Sequence, residues 1–465
     1  MPPKSLIVIG AGPGGYAAAL EAAQRGLAVT LVDSAEVGGT CVNRGCIPSK
    51  YFLSQAKHAA EPVSQILQIV QQKDALLSTL RQRMEQAAKA SQIRRISGLA
   101  KLLSPHDVEV TESAKKEHLK ADAIILATGS SPIVPSAFPR HPAVFTSDNI
   151  FSIDYLPAHV VVVGGGYIGS ELACAFQGLG SKVTLIEKEK GLLATQPEFA
   201  AAAPVLQRAF EKRGMTVWTG TEVKTVAAAP KRGAAPSSGA VDKQKLLVTC
   251  SNGETIEANA LLLALGRRPN VENLGLEKAD ISVQGGRFQV NASLQTCIPH
   301  IYAIGDLVSP LPLAHTAAKE AEIAVKHLMG EKTEKLNYSA IPRVVFTWPE
   351  AAAVGMTEAQ AQAAGHKTRI DRYHFAASSK ALIDGETDGF WMILSDADTR
   401  KILGALIVGP QATELIHLVA LSLRAGLTTN DIADTVFAHP TLSEGFQEAM
   451  KRSTLNVQRE SKKPS

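Results

Sequence analysis

Residues 5–33 read SLIVIGAGPGGYAAALEAAQRGLAVTLVD. They begin as an apolar strand, turn at Gly10, Gly12 and Gly15, run through an alanine-rich helix and return in a strand that ends at Asp33. In such a unit the first glycine permits a tight turn, the second lets backbone amides approach a pyrophosphate, and the third lets the helix pack on the strand. An acid at the end of the second strand can bind the adenosine ribose. The stretch predicts a dinucleotide-binding unit.

The same pattern recurs without a gap at residues 159–187, HVVVVGGGYIGSELACAFQGLGSKVTLIE. Gly164, Gly166 and Gly169 match the three glycines of the first unit, and Glu187 matches its acid. One glycine pattern alone would be weak evidence, but two in the same context predict two bound dinucleotides. An enzyme for NADP usually carries arginines where Glu187 stands, so the second unit favours NAD.

Residues 38–50, GGTCVNRGCIPSK, follow the first unit and contain Cys41 and Cys46. The chain has five cysteines, and a structural disulfide framework is not expected. A close cysteine pair beside a dinucleotide site indicates thiol–disulfide electron transfer. The other three cysteines lie in apolar or strand-like runs and are predicted to be buried: Cys174, Cys250 and Cys297.

Composition narrows the class of protein. The chain has 465 residues, 45% hydrophobic and 20% charged, with a net charge of +4, which is typical of a globular enzyme of two to four domains. Dispersed basic residues argue against nucleic-acid binding, and no apolar run is long enough for a bilayer. No metal site is predicted, because no second ligand pair accompanies the cysteines. Residues Ser5 to Ile9 already form a core strand, which leaves no room for a leader and predicts a cytoplasmic protein.

Three further apolar runs end at glycine or an acid, at residues 124–129, 261–267 and 301–306. The first two are expected to be buried strands that close the two nucleotide units. The third ends in Asp306, whose carboxylate is placed to bind a sugar-alcohol chain.

With these pieces assembled, the chain resembles the flavin-dependent pyridine nucleotide-disulfide oxidoreductases from Ile7 to about Ala449. The resemblance rests on five motifs in order: GAGPGG, GGTCVNRGCIPSK, GGGYIGSE, AIGD followed by LAH, and HPTLSE. It implies an α/β fold with two Rossmann-like domains, for FAD and NAD, and a C-terminal α+β dimerisation domain. It also implies a redox disulfide between Cys41 and Cys46.

The resemblance assigns roles to matching positions. Six residues are implied in catalysis: Cys46 as the charge-transfer thiol, Cys41 as the thiol that exchanges with substrate, Lys50 near the flavin N5, Glu171 as its ion-pair partner, His439 as the base, and Glu444 as the carboxylate that orients it. The implied FAD-binding residues are Gly10, Gly12, Gly15, Asp33, Gly39, Thr40, Lys50, Ala100, Thr128, Gly129, Asp306 and Ala314. Those for NAD are Gly164, Gly166, Tyr167, Gly169, Glu187, Val223 and Gly266, although Tyr167 also fits a core aromatic.

The implied activity is oxidation of protein-bound dihydrolipoamide with reduction of NAD⁺. The implied partners are a second subunit, whose thiol pair His439 reaches, and the lipoyl-domain proteins of 2-oxoacid dehydrogenase complexes or the glycine cleavage system. An alternative is an NAD(P)H-dependent reductase of another disulfide, similar to glutathione or mercuric reductases. Glu187 and the lack of a C-terminal cysteine pair argue against it. A flavin-binding subunit without turnover is disfavoured by the complete set of catalytic residues.

The predicted domains are 1–149 for FAD, 150–268 for NAD, a central segment 269–338, and an interface domain 339–465. Helices are expected at Ala412–Ala425 and Glu444–Arg452. Three features depart from the family. Arg44, between the cysteines, is expected to lower thiol pKa values or favour an acidic substrate. Residues 55–97 look shorter than the corresponding family segment and read almost wholly as helix, from Ala56 to Arg95. Residues 227–240 read as a flexible hairpin loop in the NAD unit.

Overall fold

A computed structural model describes residues 3–58, 66–229 and 245–460. The helices, numbered in chain order, are α1 (Pro13–Gln24), α2 (Gly39–Arg44), α3 (Cys46–His58), α4 (Ile66–Ala90), α5 (Tyr167–Leu179), α6 (Ala203–Lys212), α7 (Ala314–Leu328), α8 (Glu358–Ala363), α9 (Ser379–Asp384), α10 (Ala412–Ala425), α11 (Thr429–Asp434) and α12 (Glu444–Glu460).

The strands are numbered in the same way. The first half of the chain contains β1 (Ser5–Ile9), β2 (Ala28–Asp33), β3 (Arg94–Ser97), β4 (Leu99–Leu102), β5 (Asp107–Glu112), β6 (Lys115–Lys120), β7 (Ala123–Leu126), β8 (Ser130–Pro132), β9 (Val144–Thr146), β10 (His159–Val163), β11 (Lys182–Ile186), β12 (Thr216–Trp218) and β13 (Val223–Ala228). The second half contains β14 (Leu246–Cys250), β15 (Thr255–Ala258), β16 (Ala260–Leu263), β17 (Arg267–Pro269), β18 (Val283–Gln284), β19 (Arg287–Phe288), β20 (Ile301–Ala303), β21 (Arg343–Val345), β22 (Glu350–Gly355), β23 (Thr368–His374), β24 (Phe390–Asp396) and β25 (Ile402–Gly409).

The first sheet is parallel, with strand order β20-β7-β1-β2-β3. Its central strands are built from Val, Ile and Leu and are buried, as expected for a parallel sheet covered on both faces. Helix α1 connects β1 to β2 and packs against α7. The glycine turn at the end of β1 therefore opens into the crevice at the carboxyl edge of the sheet, where open α/β folds bind ligands.

The second sheet repeats the first. Its strand order is β12-β11-β10-β16-β9, again parallel, and α5 connects β10 to β11. The pairing begins at Ser5 with Ala28 in the first sheet and at His159 with Lys182 in the second, so the repeat seen in the sequence is a repeat in space. Strands β7 and β16 pair with β1 and β10, which confirms the predicted closing strands.

The third large sheet is antiparallel, with order β21-β22-β25-β24-β23. Helix α10 packs on β22 and β25, and α12 on β23 and β24. The hydrophobic core of this unit contains the stacked rings of Trp391 and Phe446, whose centroids lie 5.6 Å apart. Two parallel nucleotide-binding sheets and one antiparallel α+β unit confirm the predicted fold class.

The two nucleotide units are joined by a two-stranded sheet of β8 and β17, through which the chain leaves the first unit and later returns. Strand β9 already belongs to the second sheet, because it pairs with β16. The exact domain boundaries remain a prediction.

Some local predictions need correction. The continuous helix at 56–95 is wrong: α3 ends at His58, residues 59–65 lie outside the described chain, and α4 ends at Ala90. Gln92 then adopts a left-handed conformation with φ 55°, which ends the helix and lets β3 pair with β2. Cys297 is exposed, unlike Cys174 and Cys250.

The remaining local predictions concern two C-terminal helices, one loop and the lack of a membrane span. Helix α10 has the predicted bounds, whereas α12 begins at Glu444 as expected and extends to Glu460. Of the predicted loop 227–240, residues 227 and 228 belong to β13, and 230–240 lie outside the described residues. Among the described residues, no helix is both long and apolar enough to cross a bilayer.

Candidate active site

The first glycine turn is shaped by close backbone contacts. Gly10 has φ 106°, and a Cβ atom there would lie 2.2 Å from the carbonyl oxygen of Ala127. A Cβ on Gly15 would lie 1.8 Å from the carbonyl oxygen of Gly10, so only glycine lets α1 approach β1. At Gly12, by contrast, the nearest atom to a Cβ would be 3.9 Å away, on Gly39. The turn is rigid at its ends and open at its centre, which fits a pyrophosphate.

The second turn has the same shape. A Cβ on Gly164 would lie 2.4 Å from the carbonyl oxygen of Ala264, and one on Gly169 would lie 1.8 Å from that of Gly164. Around Gly166 there is open space, with nothing within 4 Å of a Cβ. Both cradles, each at the N-terminus of a helix, therefore suit the phosphates of a dinucleotide.

The acid of each unit holds its own glycine turn. Asp33 Oδ2 accepts a hydrogen bond from the Ala11 amide at 2.5 Å, and Glu187 Oε2 accepts one from the Gly165 amide at 2.5 Å. The second oxygen of Glu187 accepts from the Glu189 amide at 2.7 Å. Both carboxylates lie at the edge of an open cradle, where a ribose would meet them.

The cysteine pair is built into the wall of the first cradle. Gly39 begins α2, and a Cβ there would lie 2.6 Å from the Cα of Gly12. Helix α2 carries Cys41 and ends at Arg44, and after Gly45 the new helix α3 begins at Cys46. The dithiol is thus placed directly beside the proposed flavin phosphate turn.

The two thiols are electrostatically unequal. The thiol of Cys41 donates a hydrogen bond to Cys46, which lowers the pKa of Cys46 to about 7, with help from the positive charge of Lys50. The same hydrogen bond, together with burial, raises the pKa of Cys41. The N-terminal position of Cys46 in α3 also favours its thiolate. Cys46 is therefore the thiol that ionises more readily.

Lys50 and Glu171 form an ion pair of 2.6 Å between Nζ and Oε2. Lys50 lies one turn after Cys46 on α3, whereas Glu171 is on α5, the helix of the second cradle. The Glu171 side chain is 7% exposed and that of Lys50 33%. The pair joins the two nucleotide units next to the thiols, as predicted for these residues.

Asp306 lies in the single helical turn Gly305–Leu307 that follows β20. The hydroxyl of Ser130 donates to Asp306 Oδ2. The preceding amide, of Gly305, donates to the fully buried carboxylate of Glu320 at 2.7 Å. Nearby, α7 begins at Ala314. The Gly305–Leu307 turn and the N-terminus of α7 both border the first sheet. This position is consistent with binding the ribityl chain and the ring of a flavin.

The remaining predicted cofactor residues lie on several elements. Thr128 and Gly129 follow β7, and the Thr128 hydroxyl donates to the carbonyl oxygen of Asn270 at 2.7 Å. Tyr167 begins α5, with its ring 5.8 Å from that of Phe199. The others are Thr40 in α2, Ala100 in β4, Val223 at the start of β13, and Gly266 just before β17.

His439 and Glu444 are paired with each other. His439 Nδ1 lies 2.9 Å from Glu444 Oε1, and the Thr441 amide donates to Glu444 Oε2 at 2.7 Å. Burial would raise the pKa of Glu444, but the Thr441 amide and His439 lower it below its usual value. The imidazole is 69% exposed. Within the described chain, no hydrogen bond or ion pair joins these two residues to Cys41 or Cys46.

Arg44 does not act on the thiols as expected. Its guanidinium lies 4.0 Å from one oxygen of Asp148, whose other oxygen is 2.9 Å from Arg267. The charges that act on Cys46 are those of Lys50 and Glu171. The predicted effect of Arg44 on the thiol pKa is therefore wrong, because its guanidinium is directed to Asp148.

Sequence reasoning also missed residues that hold the site together. Arg267 donates to the backbone and hydroxyl oxygens of Ser130, which in turn contacts Asp306. In the sequence, the only indication of this role is that Arg267 directly follows Gly266. In the part of the chain that the structure describes, no three histidine, cysteine or carboxylate side chains gather to hold a metal ion.

Comparison with known proteins places this geometry in a family. The profile of the pyridine nucleotide-disulphide oxidoreductases matches residues 4–321. The profile of their dimerisation domain matches residues 341–450. The chain belongs to this family. It is therefore a flavoprotein disulfide oxidoreductase with FAD and NAD as cofactors, and it carries the domain through which the family forms homodimers.

Individual relatives of this pyridine nucleotide-disulphide oxidoreductase are similar over the whole chain. A dihydrolipoyl dehydrogenase of Thermus scotoductus is 38% identical, covering 96% of both chains. One of Bacillus subtilis is 34% identical, with the same coverage. The crystal structure of LpdA from Mycobacterium tuberculosis has a TM-score of 0.87 at 30% identity, covering 97% of this chain and 99% of that one. The HOCl-induced flavoprotein disulfide reductase RclA of Escherichia coli has a TM-score of 0.86 at 27% identity, covering 96% and 99%.

Proposed function

We propose that this enzyme oxidises protein-bound dihydrolipoamide to lipoamide and reduces NAD⁺. The observation that carries the proposal is the unequal dithiol beside the first cradle, with Cys46 at the start of α3 and Gly39 against Gly12. Two relatives named dihydrolipoyl dehydrogenase, similar over nearly the full chain, support this substrate.

His439 is proposed as the base, acting on the thiol pair of the partner subunit. Because Nδ1 is held by Glu444, the neutral imidazole keeps its proton on Nδ1 and offers Nε2 to a substrate thiol. Glu444 then stabilises the imidazolium that forms. The high exposure of the ring within one chain is consistent with a site completed by the second subunit.

The proposed exchange starts from the Cys41–Cys46 disulfide. A dihydrolipoamide thiol gives its proton to His439, and the thiolate attacks the Cys41 sulfur, so that Cys46 leaves as a thiolate. The second substrate thiol then attacks the mixed disulfide; Cys41 leaves and takes a proton, and lipoamide is released. Since a thiol with a lower pKa leaves faster, the low pKa of Cys46 favours this direction of opening.

Bound FAD would supply the two-electron acceptor beside Cys46 and the route to NAD⁺ in the second cradle. Gly12 and Asp306 are proposed to hold its pyrophosphate and ribityl chain, and Lys50 to place a positive charge near its ring. In the second cradle, Gly166 is proposed to face the pyrophosphate of NAD, and Glu187 to bind the adenosine ribose. A carboxylate there repels the 2′-phosphate of NADP.

The proposed macromolecular partner is a lipoyl-domain protein of a 2-oxoacid dehydrogenase complex or of the glycine cleavage system. The proposed compartment is the cytoplasm, where thiols are kept reduced. The other FAD and NAD contacts implied by the resemblance, including Ala100, Val223 and Tyr167, are part of the same proposal.

The test is steady-state reduction of NAD⁺ and of NADP⁺ by dihydrolipoamide on the purified flavoprotein. Fast turnover with NAD⁺ that is lost in Cys46→Ser, while Cys297→Ser turns over like the parent enzyme, would support the proposal. A protein that passes electrons from NADH to dyes but ignores dihydrolipoamide would overturn it. That result would favour reduction of a different disulfide, and Arg44, which stands between the two cysteines in the sequence, would be the first residue to examine.

A further inference from the structure

Phe346 lies at the meeting point of three parts of the fold. It follows β21, the first strand of the antiparallel sheet, within the region matched by the dimerisation profile. Its amide donates a hydrogen bond to Glu171 Oε1 at 3.1 Å. Its ring lies under the Lys50 ammonium, with 4.5 Å from Nζ to the ring centroid. One residue thus touches both members of the Lys50–Glu171 pair.

These contacts restrict a side chain that is otherwise mobile. A lysine has four rotatable methylene groups and a compact charge, so a single ion pair fixes it poorly. At this site, Glu171 Oε2 holds Nζ from one side and the aromatic face of Phe346 attracts it from another. Since the Phe346 amide occupies the other oxygen of Glu171, the carboxylate is oriented as well.

The position of Lys50 matters because of Cys46. The two residues are four apart on α3 and therefore share a face of the helix. The charge of Lys50 lowers the pKa of Cys46, and that of Glu171 raises it. The balance depends on distance, as Coulomb interactions do. If the ammonium moves away from the thiol, the thiolate loses the cation that lowers its pKa.

We propose that Phe346 is a positioning residue that holds the Lys50 ammonium where it stabilises the Cys46 thiolate. The dimerisation domain thereby tunes the thiol site of its own subunit, in addition to forming the interface. The inference rests on the proposed function, in which Cys46 is the charged thiol.

The experiment measures Cys46 directly in the FAD-loaded enzyme. In a Cys41→Ser background, Cys46 is the remaining thiol of the pair, and its alkylation by iodoacetamide is followed against pH by peptide mass spectrometry. Exposed Cys297 in the same sample reports reagent reactivity. Phe346→Leu is expected to raise the midpoint of the Cys46 profile by about half a pH unit or more, given the strength of a partly buried cation–π contact. Phe346→Tyr, which keeps an aromatic face, is expected to leave it unchanged.

Two further variants make the result decisive. Phe346→Met keeps most of the volume without a ring and replaces the leucine variant if that protein does not fold. In a Lys50→Met background, Phe346→Leu should no longer move the midpoint, because its effect passes through the lysine. An unchanged midpoint in Phe346→Leu and Phe346→Met, or an equal shift without Lys50, would overturn the proposal. Since alkylation requires no lipoamide turnover, a failed substrate assignment would leave this result interpretable.

Discussion

Lys50 Nζ and Glu171 Oε2 lie 2.6 Å apart, and this pair links the helix of the redox thiols to the helix of the second nucleotide cradle. The carboxylate is nearly buried, whereas the ammonium is one-third exposed. A contact of this kind holds two units in a fixed relation and also sets the charge beside the thiols.

Removing the carboxylate is expected to destabilise the protein. Glu171→Gln leaves Lys50 without a counterion, and the free energy of unfolding should fall by about 1–3 kcal/mol, less than for a fully buried pair. The measurement is the thermal unfolding midpoint of the flavoprotein. The matched control is Lys57→Met, on the same helix, which removes the exposed Lys57–Glu386 pair and should have little effect. Equal midpoints for both variants would contradict the prediction.

The glycines of the second turn are expected to separate folding from binding. In Gly166→Ala the methyl group has open space in the free protein but would occupy the pyrophosphate site, so the KM for NAD⁺ should rise about tenfold or more. Stability should be nearly unchanged. In Gly169→Ala the methyl group would lie 1.8 Å from the Gly164 carbonyl oxygen, and the protein should fail to fold or lose most of its stability. Similar behaviour of the two variants, measured by kinetics and thermal unfolding, would refute this account of the turn.

Glu187 is expected to set the choice of nucleotide. Glu187→Ser removes the negative charge and both of its backbone hydrogen bonds, so the preference for NAD⁺ over NADP⁺ in kcat/KM should fall about tenfold or more. Glu254→Ser, which neutralises a carboxylate in the turn between β14 and β15, serves as the control. An unchanged preference in Glu187→Ser would show that another group rejects the 2′-phosphate.

His439 is expected to be needed for dithiol oxidation and dispensable for electron transfer from NADH to dyes. His439→Gln removes the proposed base, and the rate with dihydrolipoamide should fall by about 10²–10⁴-fold. The NADH–dye rate, measured on the same sample, should stay close to that of the parent enzyme. His118→Gln removes an exposed histidine of β6 as a control. Parallel loss of both activities in His439→Gln would indicate damage to the fold or dimer.

The thiolate of Cys46 is expected to persist at neutral pH. Its pKa is lowered from 9.0 to about 7, so the thiol is mostly protonated below that pH and mostly charged above it. A thiol with the ordinary pKa becomes mostly charged only above about pH 9. Titration of ultraviolet thiolate absorbance in the reduced Cys41→Ser enzyme, against the Cys41→Ser/Cys46→Ser enzyme, measures this midpoint. Lys50→Met should move it upward. Serine at position 41 removes the thiol donor that contributes most to this shift, so the midpoint in this background is expected above 7. The upward move in Lys50→Met is the deciding result, and an unchanged midpoint in that variant would contradict the assignment.

Much of the fold could be predicted from the sequence because it is locally encoded. The glycine turns need no distant partner to be recognised: Gly10 and Gly164 must be glycine for backbone reasons that recur in both units. Buried parallel strands are continuous apolar runs, and both units carry them. The cysteine pair and its neighbour Lys50 lie within ten residues, so their chemistry could also be predicted from the sequence.

What only the tertiary structure decided is how distant residues meet. Nothing local indicates that Phe346 touches Lys50, or that Arg44 is directed to Asp148 instead of the thiols, because these contacts join residues far apart in the chain. The end of α4 depends on β3 joining the first sheet at an edge, where pairing with β2 prevails over helix propensity. The two nucleotide-binding units follow from the sequence, because glycine turns and buried apolar strands are encoded locally. The charges around the thiols follow only from the tertiary structure, because they depend on packing between charged and aromatic side chains that are distant in the chain.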